Sequence, residues 1–249
     1  MKIGIIPARY ASTRFPGKPL ALIQNKPMIQ YVFERCKEAD LDALYVATDD
    51  ERIRKCVKNF GGKAIMTSTQ HNSGTDRCAE VARFLDLQNS DLVINIQGDE
   101  PFIRKEEINL LTNMFDKQKV NIATLVKPFT AEEDYQNPNK VKVVFTNSHQ
   151  ALYFSRSPIP YTNSTQFTAA SNKLQPAFNP QFLFKHIGIY AYRNNILQKI
   201  TKLPVSKLEE FERLEQLRWL ENDFSIHVQI CHHESIAIDT PEDLKSINN

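Results

Sequence analysis

The sequence has no apolar run near the roughly 20 residues that a membrane-spanning helix needs. The apolar segment that begins at Ile3 ends before Arg9, which is too short for the core of a signal peptide. The chain also lacks a basic excess, because 31 Lys and Arg stand against 29 Asp and Glu among 249 residues. Proteins that coat nucleic acid usually carry such an excess. We therefore expect a cytoplasmic protein that binds neither membranes nor nucleic acids.

The cysteines are few and far apart, and no two of them form a C-x-x-C pair. This spacing is untypical of a structural zinc site and fits reduced, mostly buried thiols. Internal repeats, low-complexity tracts and linker-like segments are missing as well. With 41% hydrophobic and 24% charged residues, the composition excludes wholesale disorder. We expect one α/β domain over residues 1–249, with an irregular insert at about 129–185.

Strand and helix patterns alternate through the first half of the chain. Short apolar runs predict strands at 2–7, 44–48, 63–66 and 91–96. Helical stripes of apolar residues lie between them at 27–39, 49–60 and 75–87. Such alternation predicts a three-layer α/β fold with a mostly parallel sheet flanked by helices. Ligands of such sheets bind at the carboxyl ends of the strands, here after Ile6, Met66 and Ile96.

The second half has a less regular pattern. Strands are predicted at 141–146, 151–154, 186–192 and 225–230, the first two joined by a turn. One helix is predicted from Ser206 to Glu221, with Phe211 on its inner side, and a last helix begins at Thr240. The polar, proline-interrupted stretch at 161–185 predicts a long excursion or flap.

Three cations, Arg9, Arg14 and Lys18, follow the first strand among small residues that let backbone N–H groups approach a ligand. Guanidinium and ammonium groups suit phosphate oxygens. The loop has neither a G-x-G-x-x-G pattern nor a Walker motif. On composition alone a solvated surface loop is an equal alternative, and the position at the end of a strand favours a phosphate cradle.

A second loop, Ser73–Thr75, leads into a predicted helix. Its backbone N–H groups and the positive end of the helix dipole suit an anion or a polar base edge. Taken alone, the segment fits an ordinary N-cap better.

Two acidic residues follow apolar segments. Asp99 comes directly after the buried strand at 91–96, with Gly98 allowing close approach, and Asp239 stands between an apolar run and a helix start. Hard cations such as Mg²⁺ take oxygen ligands and keep waters and substrate phosphates. Because one carboxylate cannot hold the ion alone, Asp239 is the best partner for Asp99. By itself, Asp239 fits an N-cap better.

Together these segments resemble the 3-deoxy-manno-octulosonate cytidylyltransferase family, the CMP-Kdo synthetases. The resemblance runs from Ile6 to Leu244 and rests on the motifs IPARYASTRFPGKPL, YVATDDERI, MTSTQHNSGTDR, NIQGDEP, NPNKVKVVF, ALYFSRSPIP, HIGIYAYR, LEQLR and IDTPEDL. The first and third motifs also suit other sugar nucleotidyltransferases, whereas ALYFSRSPIP and HIGIYAYR are more restricted.

The resemblance implies a Rossmann-like nucleotidyltransferase fold with an inserted dimerisation or flap subdomain. It implies an enzyme that activates the acidic eight-carbon sugar Kdo with CTP, for lipopolysaccharide biosynthesis. The sugar 2-hydroxyl would attack the α-phosphate, with Mg²⁺ as cofactor, and the protein would be a homodimer. The alternatives are an 8-amino-Kdo or sialic acid as the sugar, or a catalytically inactive nucleotide-binding protein.

The resemblance also implies roles for individual residues. Nucleotide binding falls to Arg9, Arg14, Lys18, Ser73, Gly74 and Arg77. Sugar binding falls to Gln97, Arg156, His186, Tyr190, Glu215 and Gln216. The expected catalytic set is Asp99, Asp239, Lys18 and Arg9, in which the two aspartates hold Mg²⁺.

Without the family resemblance, the residues implied to bind sugar have other interpretations. His186 and Tyr190 pass as core residues of a strand, and Glu215 and Gln216 as a solvated helix face. No dedicated histidine base is expected. The chain departs from the family after Arg156, where a second Arg is often found, which leaves the binding of the outer sugar hydroxyls open.

Overall fold

The computed structural model describes residues 1–11, 15–117, 120–130, 132–161, 182–233, 238 and 240–248. The strands of this part are β1 (Lys2–Ala8), β2 (Leu22–Ile23), β3 (Lys26–Pro27), β4 (Ala43–Thr48), β5 (Ala64–Met66), β6 (Leu92–Asn95), β7 (Ile122–Pro128), β8 (Lys142–Phe145), β9 (Ala151–Ser155), β10 (Phe184–Arg193) and β11 (Ile226–Ile230). The α-helices are α1 (Met28–Lys37), α2 (Glu51–Asn59), α3 (Gly74–Phe84), α4 (Lys105–Lys117), α5 (Asn194–Ile200), α6 (Lys207–Glu212), α7 (Gln216–Glu221) and α8 (Pro241–Asn248).

One mixed sheet organises the described part of the chain, in the order β11-β7-β10-β6-β1-β4-β5. The pairs β1–β4, β1–β6, β4–β5 and β7–β11 are parallel, whereas β10 runs antiparallel to both of its neighbours, β6 and β7. The hairpin of β8 and β9 extends the sheet from β10. The prediction of a mostly parallel sheet is confirmed, with β10 as the antiparallel strand inside it.

Helices cover both faces of the sheet and bury a separate apolar core on each. Along β1, Ile3 and Ile5 belong to one core, with residues of α3, α5 and α7, while Ile6 and Ala8 belong to the other, with residues of α1, α2 and α4. This alternation is what a strand buried on both faces requires. The predicted three-layer architecture is confirmed.

The predicted helix from Ser206 to Glu221 is wrong in one respect, because the chain breaks it into α6 and α7. Arg213 closes α6 in the left-handed conformation, with φ 52° and ψ 47°. Phe211, predicted to face inward, is 85% exposed, whereas Leu214 and Leu217 are buried. No glycine or proline marks the break, so the apolar periodicity runs through it and conceals it.

Five elements were not predicted at all: β2, β3, α4, β7 and α5. The predicted flap lies largely outside the described residues, which leave out 162–181. The assignment of one domain with an insert at about 129–185 stays a prediction. Among the helices that the structure describes, none has both the length and the apolar character needed to pass through a bilayer.

Candidate active site

A cavity of about 240 Å³ opens at the carboxyl ends of β1 and β6, where the sequence analysis expected a ligand. Its lining residues are Pro7, Ala8, Arg9, Lys18, Pro19, His71, Asn72, Ser73, Gly74, Arg77, Gln97, Gly98 and Asp99. Seven of them were predicted site residues: Arg9, Lys18, Ser73, Gly74, Arg77, Gln97 and Asp99. Two further predicted residues, Arg14 and Asp239, lie outside the described residues. We call the side formed by Arg9, Lys18, Ser73, Gly74 and Asp99 the loop wall.

Glycines let the three loops of the loop wall pack against one another. A Cβ on Gly98 would stand 3.0 Å from the carbonyl oxygen of Pro7, and one on Gly74 would stand 3.1 Å from Cγ of the same proline. Both positions therefore have little room for a side chain. The close packing brings cations from the first loop next to the start of α3 and to Asp99.

Lys18 and Asp99 meet inside the cavity. The ammonium donates to Asp99 Oδ2 at 2.6 Å and to the carbonyl oxygen of Ile238 at 2.8 Å. Both side chains are mostly shielded, with 14% of Lys18 and 30% of Asp99 exposed. A positive group thus stands between two oxygen atoms, and oxygen atoms are the ligands that Mg²⁺ prefers. Asp239 follows Ile238 in the sequence.

Asp99 fits a cation site as part of a larger ligand set. Within the described residues, no group of three His, Cys, Asp or Glu side chains is arranged to hold a metal ion. Asp99 and the adjacent carbonyl would therefore need further oxygen ligands. Substrate phosphates and water molecules are the usual supply for Mg²⁺.

Ser73 and Arg77 shape the start of α3. Ser73 caps the helix, since its Oγ accepts from the backbone N–H of Asp76, in a reciprocal capping box. Arg77 is 3% exposed, and its guanidinium donates to Asp49 Oδ2 at 2.7 Å and to the hydroxyl of Thr67. Arg77 reaches the cavity, as predicted, and it also ties α3 to the ends of β4 and β5.

A second group of predicted residues lies beside the cavity on β10 and on the α6–α7 segment. We call His186, Tyr190, Glu215 and Gln216 the strand wall. Gln97 links it to the cavity, because its Nε2 donates to the carbonyl oxygen of Gly188 in β10 at 2.9 Å. The register of β10 against β7 shifts between Ile187 and Tyr190, which is where that carbonyl is presented.

His186 is held in one neutral form. Burial, which disfavours the imidazolium, lowers the pKa of His186 to about 3. Thr124 Oγ1 lies 2.7 Å from the carbonyl oxygen of Ile189 and 3.1 Å from that of Ile187, and it gives its single proton to these carbonyl oxygens. His186 Nε2, 3.1 Å from the same Oγ1, must then be the donor to it. The ring therefore carries its proton on Nε2 and keeps Nδ1 as an acceptor, and the expectation that no histidine acts as a base stays a prediction.

Glu215 stands just after the break between α6 and α7 and faces α3. Its Oε2 accepts from the hydroxyl of Thr75 at 2.6 Å. Burial raises the pKa of Glu215, and hydrogen bonds from Thr75 and Ser73 oppose that rise. The view of this segment as a solvated helix face is wrong for Glu215 and for Gln216, which is buried.

Four buried polar atoms in or near the strand wall have no hydrogen-bond partner among the described residues: Asn95 Oδ1, Gln216 Nε2 and the phenolic oxygens of Tyr190 and Tyr192. Asn95 stands opposite Tyr190 in the β6–β10 pairing, and its side chain lies beside Gly74. Buried polar atoms of this kind normally find partners, and a polar ligand would supply them.

Arg156 is placed apart from the cavity. Its guanidinium donates to the carbonyl oxygens of Glu212 at 2.8 Å, Pro138 at 3.1 Å and Arg213 at 3.4 Å. Arg156 therefore holds the end of α6, immediately before the break that carries Glu215. Its predicted contact with sugar stays a prediction.

Several polar groups near the cavity were not predicted from the sequence. Thr124 is fully buried in β7, a strand that was not predicted, and Asn95 was read only as part of an apolar strand. His71 lines the cavity and pairs with Glu80. A polar residue inside the apolar run Leu92–Ile96 was the available signal for Asn95, whereas the pattern around Thr124 gave none.

Comparison with known proteins identifies the family. The family model described as Cytidylyltransferase matches residues 3–230. A 3-deoxy-manno-octulosonate cytidylyltransferase of Parabacteroides distasonis is 52% identical over 247 residues, covering 98% of this chain and 95% of that protein. An 8-amino-3,8-dideoxy-manno-octulosonate cytidylyltransferase of Shewanella sp. is 47% identical, covering 96% and 94% of the two chains.

A solved structure leads to the same family. The structure of a CMP:2-keto-3-deoxy-manno-octonic acid synthetase complexed with CTP superimposes with a TM-score of 0.86 and 42% sequence identity. The match covers 99% of this chain and 96% of that one. The chain belongs to the 3-deoxy-manno-octulosonate cytidylyltransferase family.

Proposed function

We propose that this chain transfers the cytidylyl group of CTP to 3-deoxy-manno-octulosonate (Kdo), giving CMP-Kdo and pyrophosphate for lipopolysaccharide biosynthesis. The observation that carries the proposal is the cavity at the ends of β1 and β6, where Arg9, Lys18 and the start of α3 surround Asp99. Cations and backbone N–H groups suit a triphosphate, and the carboxylate suits the cation that accompanies it.

The reaction exchanges one P–O bond for another. The oxygen of the sugar 2-hydroxyl attacks the α-phosphorus of CTP, and the bond from that phosphorus to the bridging oxygen of the β-phosphate breaks. Pyrophosphate leaves with the bonding electron pair, and the hydroxyl proton passes to water. Such a transfer needs in-line positioning and compensation of the phosphate charge more than covalent help from the protein.

The loop wall supplies that compensation. Arg9 and Lys18, with Arg14 from the same loop, would bind the phosphate oxygens, and Ser73, Gly74 and Arg77 would line the nucleotide site. Asp99 and Asp239 would hold Mg²⁺, which polarises the α-phosphate and lowers the pKa of the attacking hydroxyl when it is bound. The short contacts of Lys18 with Asp99 Oδ2 and the Ile238 carbonyl oxygen support a cation at this place.

The strand wall, with Gln97 and Arg156, would bind the sugar. Neutral His186 offers Nδ1 as an acceptor for a sugar hydroxyl, while Thr124 holds Nε2–H. Glu215 offers a carboxylate, and Gln216 has a buried Nε2 without a partner among the described residues. Supporting this role, each group is polar and shielded, and hydroxyl-rich ligands are recognised by such groups.

An 8-amino form of the sugar is the second candidate. The relative from Shewanella, whose name specifies an 8-amino-3,8-dideoxy sugar, is 47% identical to this chain. The identity of 52% to the relative from Parabacteroides distasonis favours the unsubstituted sugar. A sialic acid is the more distant alternative, and ALYFSRSPIP and HIGIYAYR argue against it.

We further propose that the enzyme works in the cytoplasm, where CTP is supplied, and as a homodimer built through the insert at about 129–185. The exposed side chains of Leu152 and Tyr161 on the described part of that insert support a contact surface there. Sedimentation of the purified chain tests the dimer, and a monomer at micromolar concentration would contradict it.

The activity is tested by pyrophosphate release with CTP and each of three sugars, Kdo, 8-amino-Kdo and a sialic acid. Every reaction is run with Mg²⁺ and with a chelator, and the product is identified by its mass. We expect CMP-Kdo with Kdo, only when Mg²⁺ is present. Pyrophosphate release that needs no sugar, or release with the sialic acid alone, would contradict the proposal. Matched UTP reactions control for nucleotide specificity.

A further inference from the structure

Thr75 joins the two walls of the site. It is the second residue of α3, directly after Ser73 and Gly74 of the loop wall. Its side chain is 2% exposed, and its hydroxyl donates to Glu215 Oε2 of the strand wall at 2.6 Å. The two residues are 140 positions apart in the sequence. This buried hydroxyl thus connects the helix start beside the nucleotide cavity with a carboxylate on the sugar side, together with a hydrogen bond from Ser73 to the same residue.

The direction of this hydrogen bond follows from its chemistry. An ionised carboxylate can only accept, and a threonine hydroxyl has one proton to give. A separation of 2.6 Å is typical of an O–H group that donates to a charged oxygen. The contact therefore stabilises the ionised form of Glu215 and fixes one of its two oxygens.

The other charged and titratable groups around Glu215 do not replace Thr75. Arg218 on α7 favours the ionised carboxylate, but its guanidinium is bound to Glu209 through two hydrogen bonds of 2.6 Å. Asp76 on α3 disfavours it by like charge. The remaining groups that interact with Glu215 are the thiol of Cys78 and the phenols of Tyr190 and Tyr192, all buried. The hydroxyl of Ser73 also favours the ionised carboxylate through a hydrogen bond, and the influence of Thr75 is the larger of the two.

We propose that Thr75 is a positioning residue for the sugar: its hydroxyl orients the Glu215 carboxylate for contact with a sugar hydroxyl. The proposal rests on the proposed function, which gives Glu215 its role in sugar binding. Thr75 itself acts through Glu215 and touches no reacting atom. It differs from Ser73 and Gly74, whose place is in the nucleotide cavity.

The test compares Thr75→Val, which keeps the shape but removes the hydroxyl, with Thr75→Ser, which keeps the hydroxyl. We expect Val to raise the KM for the sugar about tenfold, the size expected for one hydrogen bond to a charged group. The KM for CTP should stay within about twofold, and Ser should restore the sugar KM to within about threefold. A parallel rise in both KM values, or no rise for the sugar, would overturn the proposal.

A second measurement needs no turnover. The titration of Glu215 is followed by carboxyl ¹³C NMR in the free protein, with Glu215→Gln to assign the signal. Loss of this donor removes the larger of the two hydrogen bonds that oppose the effect of burial, so Thr75→Val should raise the pKa of Glu215 further. As the pH is lowered, Thr75→Val should therefore lose sugar binding at a higher pH than the wild type does. An unchanged titration would overturn the role of Thr75.

The KM comparison and the titration of Glu215 distinguish a failure of the proposal for Thr75 from a failure of the proposed function. If the chain used a different sugar, the NMR shift would persist in Thr75→Val although Kdo was not turned over. Thermal melting of each variant monitors folding, and Thr75→Ala gives the same comparison if the branched side chain of Val disturbs the helix start.

Discussion

The loop wall lines the cavity and the strand wall lies beside it, and the two are built differently. In the loop wall, the side chains proposed to bind the nucleotide and the metal stand in segments that follow β1, β5 and β6, which glycines allow to pack closely. In the strand wall, the side chains depend on a register shift in β10 and on a break between α6 and α7. A motif can therefore reveal the first wall, while the second exists only after distant segments have packed.

The two walls should also respond differently to substitution, with the largest effect expected at Asp99. Asp99→Asn keeps the shape but removes the charge that faces Lys18, and with it a ligand proposed for Mg²⁺. We expect kcat to fall about 10³-fold or more, because this charge acts in the transition state. Turnover is measured as pyrophosphate release, and the melting temperature reports the fold.

The matched control is Asp40→Asn. Asp40 pairs with Lys2 at the surface, and 75% of its side chain is exposed. We expect that variant to keep wild-type turnover, since exposed pairs contribute little. Asp99→Asn with near-normal kcat would remove Asp99 from the catalytic set.

Alanine substitutions of two glycines, one beside each wall, should affect the KM values of different substrates. A Cβ on Gly188 would meet nothing nearer than Gln97 Cγ at 3.7 Å, an ordinary contact, whereas on Gly74 it would stand 3.1 Å from Pro7 Cγ. We expect Gly188→Ala to fold normally and to raise the KM for the sugar about tenfold, because the added methyl group takes up space beside the proposed sugar-binding residues. Gly74→Ala should raise the KM for CTP instead.

Steady-state kinetics with each substrate varied in turn measures both KM values. The separation of the walls would be contradicted if Gly188→Ala altered the KM for CTP as much as that for the sugar. The same holds if Gly74→Ala affected the sugar alone.

The sequence predicts the loop wall better than the strand wall. Apolar runs that alternate with helical stripes located β1, β4, β5 and β6. Residues of β1, β4 and β6 are buried on both faces of the sheet, whereas β5 at its edge is only partly buried. The cavity at their carboxyl ends followed from the parallel sheet alone. The role proposed for Asp99 follows from its position after a buried strand.

The strand wall was predicted only through family resemblance. Residue patterns alone described His186 and Tyr190 as core residues, and both do pack in an aromatic cluster, with ring centroids 5.3 Å apart. Periodicity cannot reveal the contact between the Thr124 hydroxyl and His186 Nε2, because the two residues are 62 positions apart in the sequence. The break at Arg213 was not predicted, because neither a glycine nor a proline marks the left-handed conformation of this arginine.

A change outside both walls should affect stability and leave both KM values alone. Burial opposes the ionised form of Glu133, but hydrogen bonds from Lys140 and Lys185 outweigh it and lower the pKa of Glu133 to about 2. Because this pKa is below the ordinary 4.5, the stabilisation is complete above about pH 4.5 and disappears as the pH falls towards 2.

Glu133→Gln should therefore lower the free energy of unfolding by about 1–2 kcal/mol at pH 7, and by less at pH 3. Urea denaturation at the two pH values measures the difference. Equal losses at both would show that the charge of Glu133 is not the cause. A changed KM for either substrate would show that this region is coupled to the site.

The smallest expected effect is that of a glycine at the break, where Arg213 has a positive φ of 52°. A left-handed residue with a side chain is strained, and glycine adopts the conformation freely. Arg213→Gly should raise the free energy of unfolding by about 0.5–1 kcal/mol, with unchanged kinetics. Arg213→Val should lower it by about 1–2 kcal/mol and raise the sugar KM, because the displaced α6–α7 segment carries Glu215. If valine raised the CTP KM equally, the two walls would not be independent, since the break lies entirely on the strand wall.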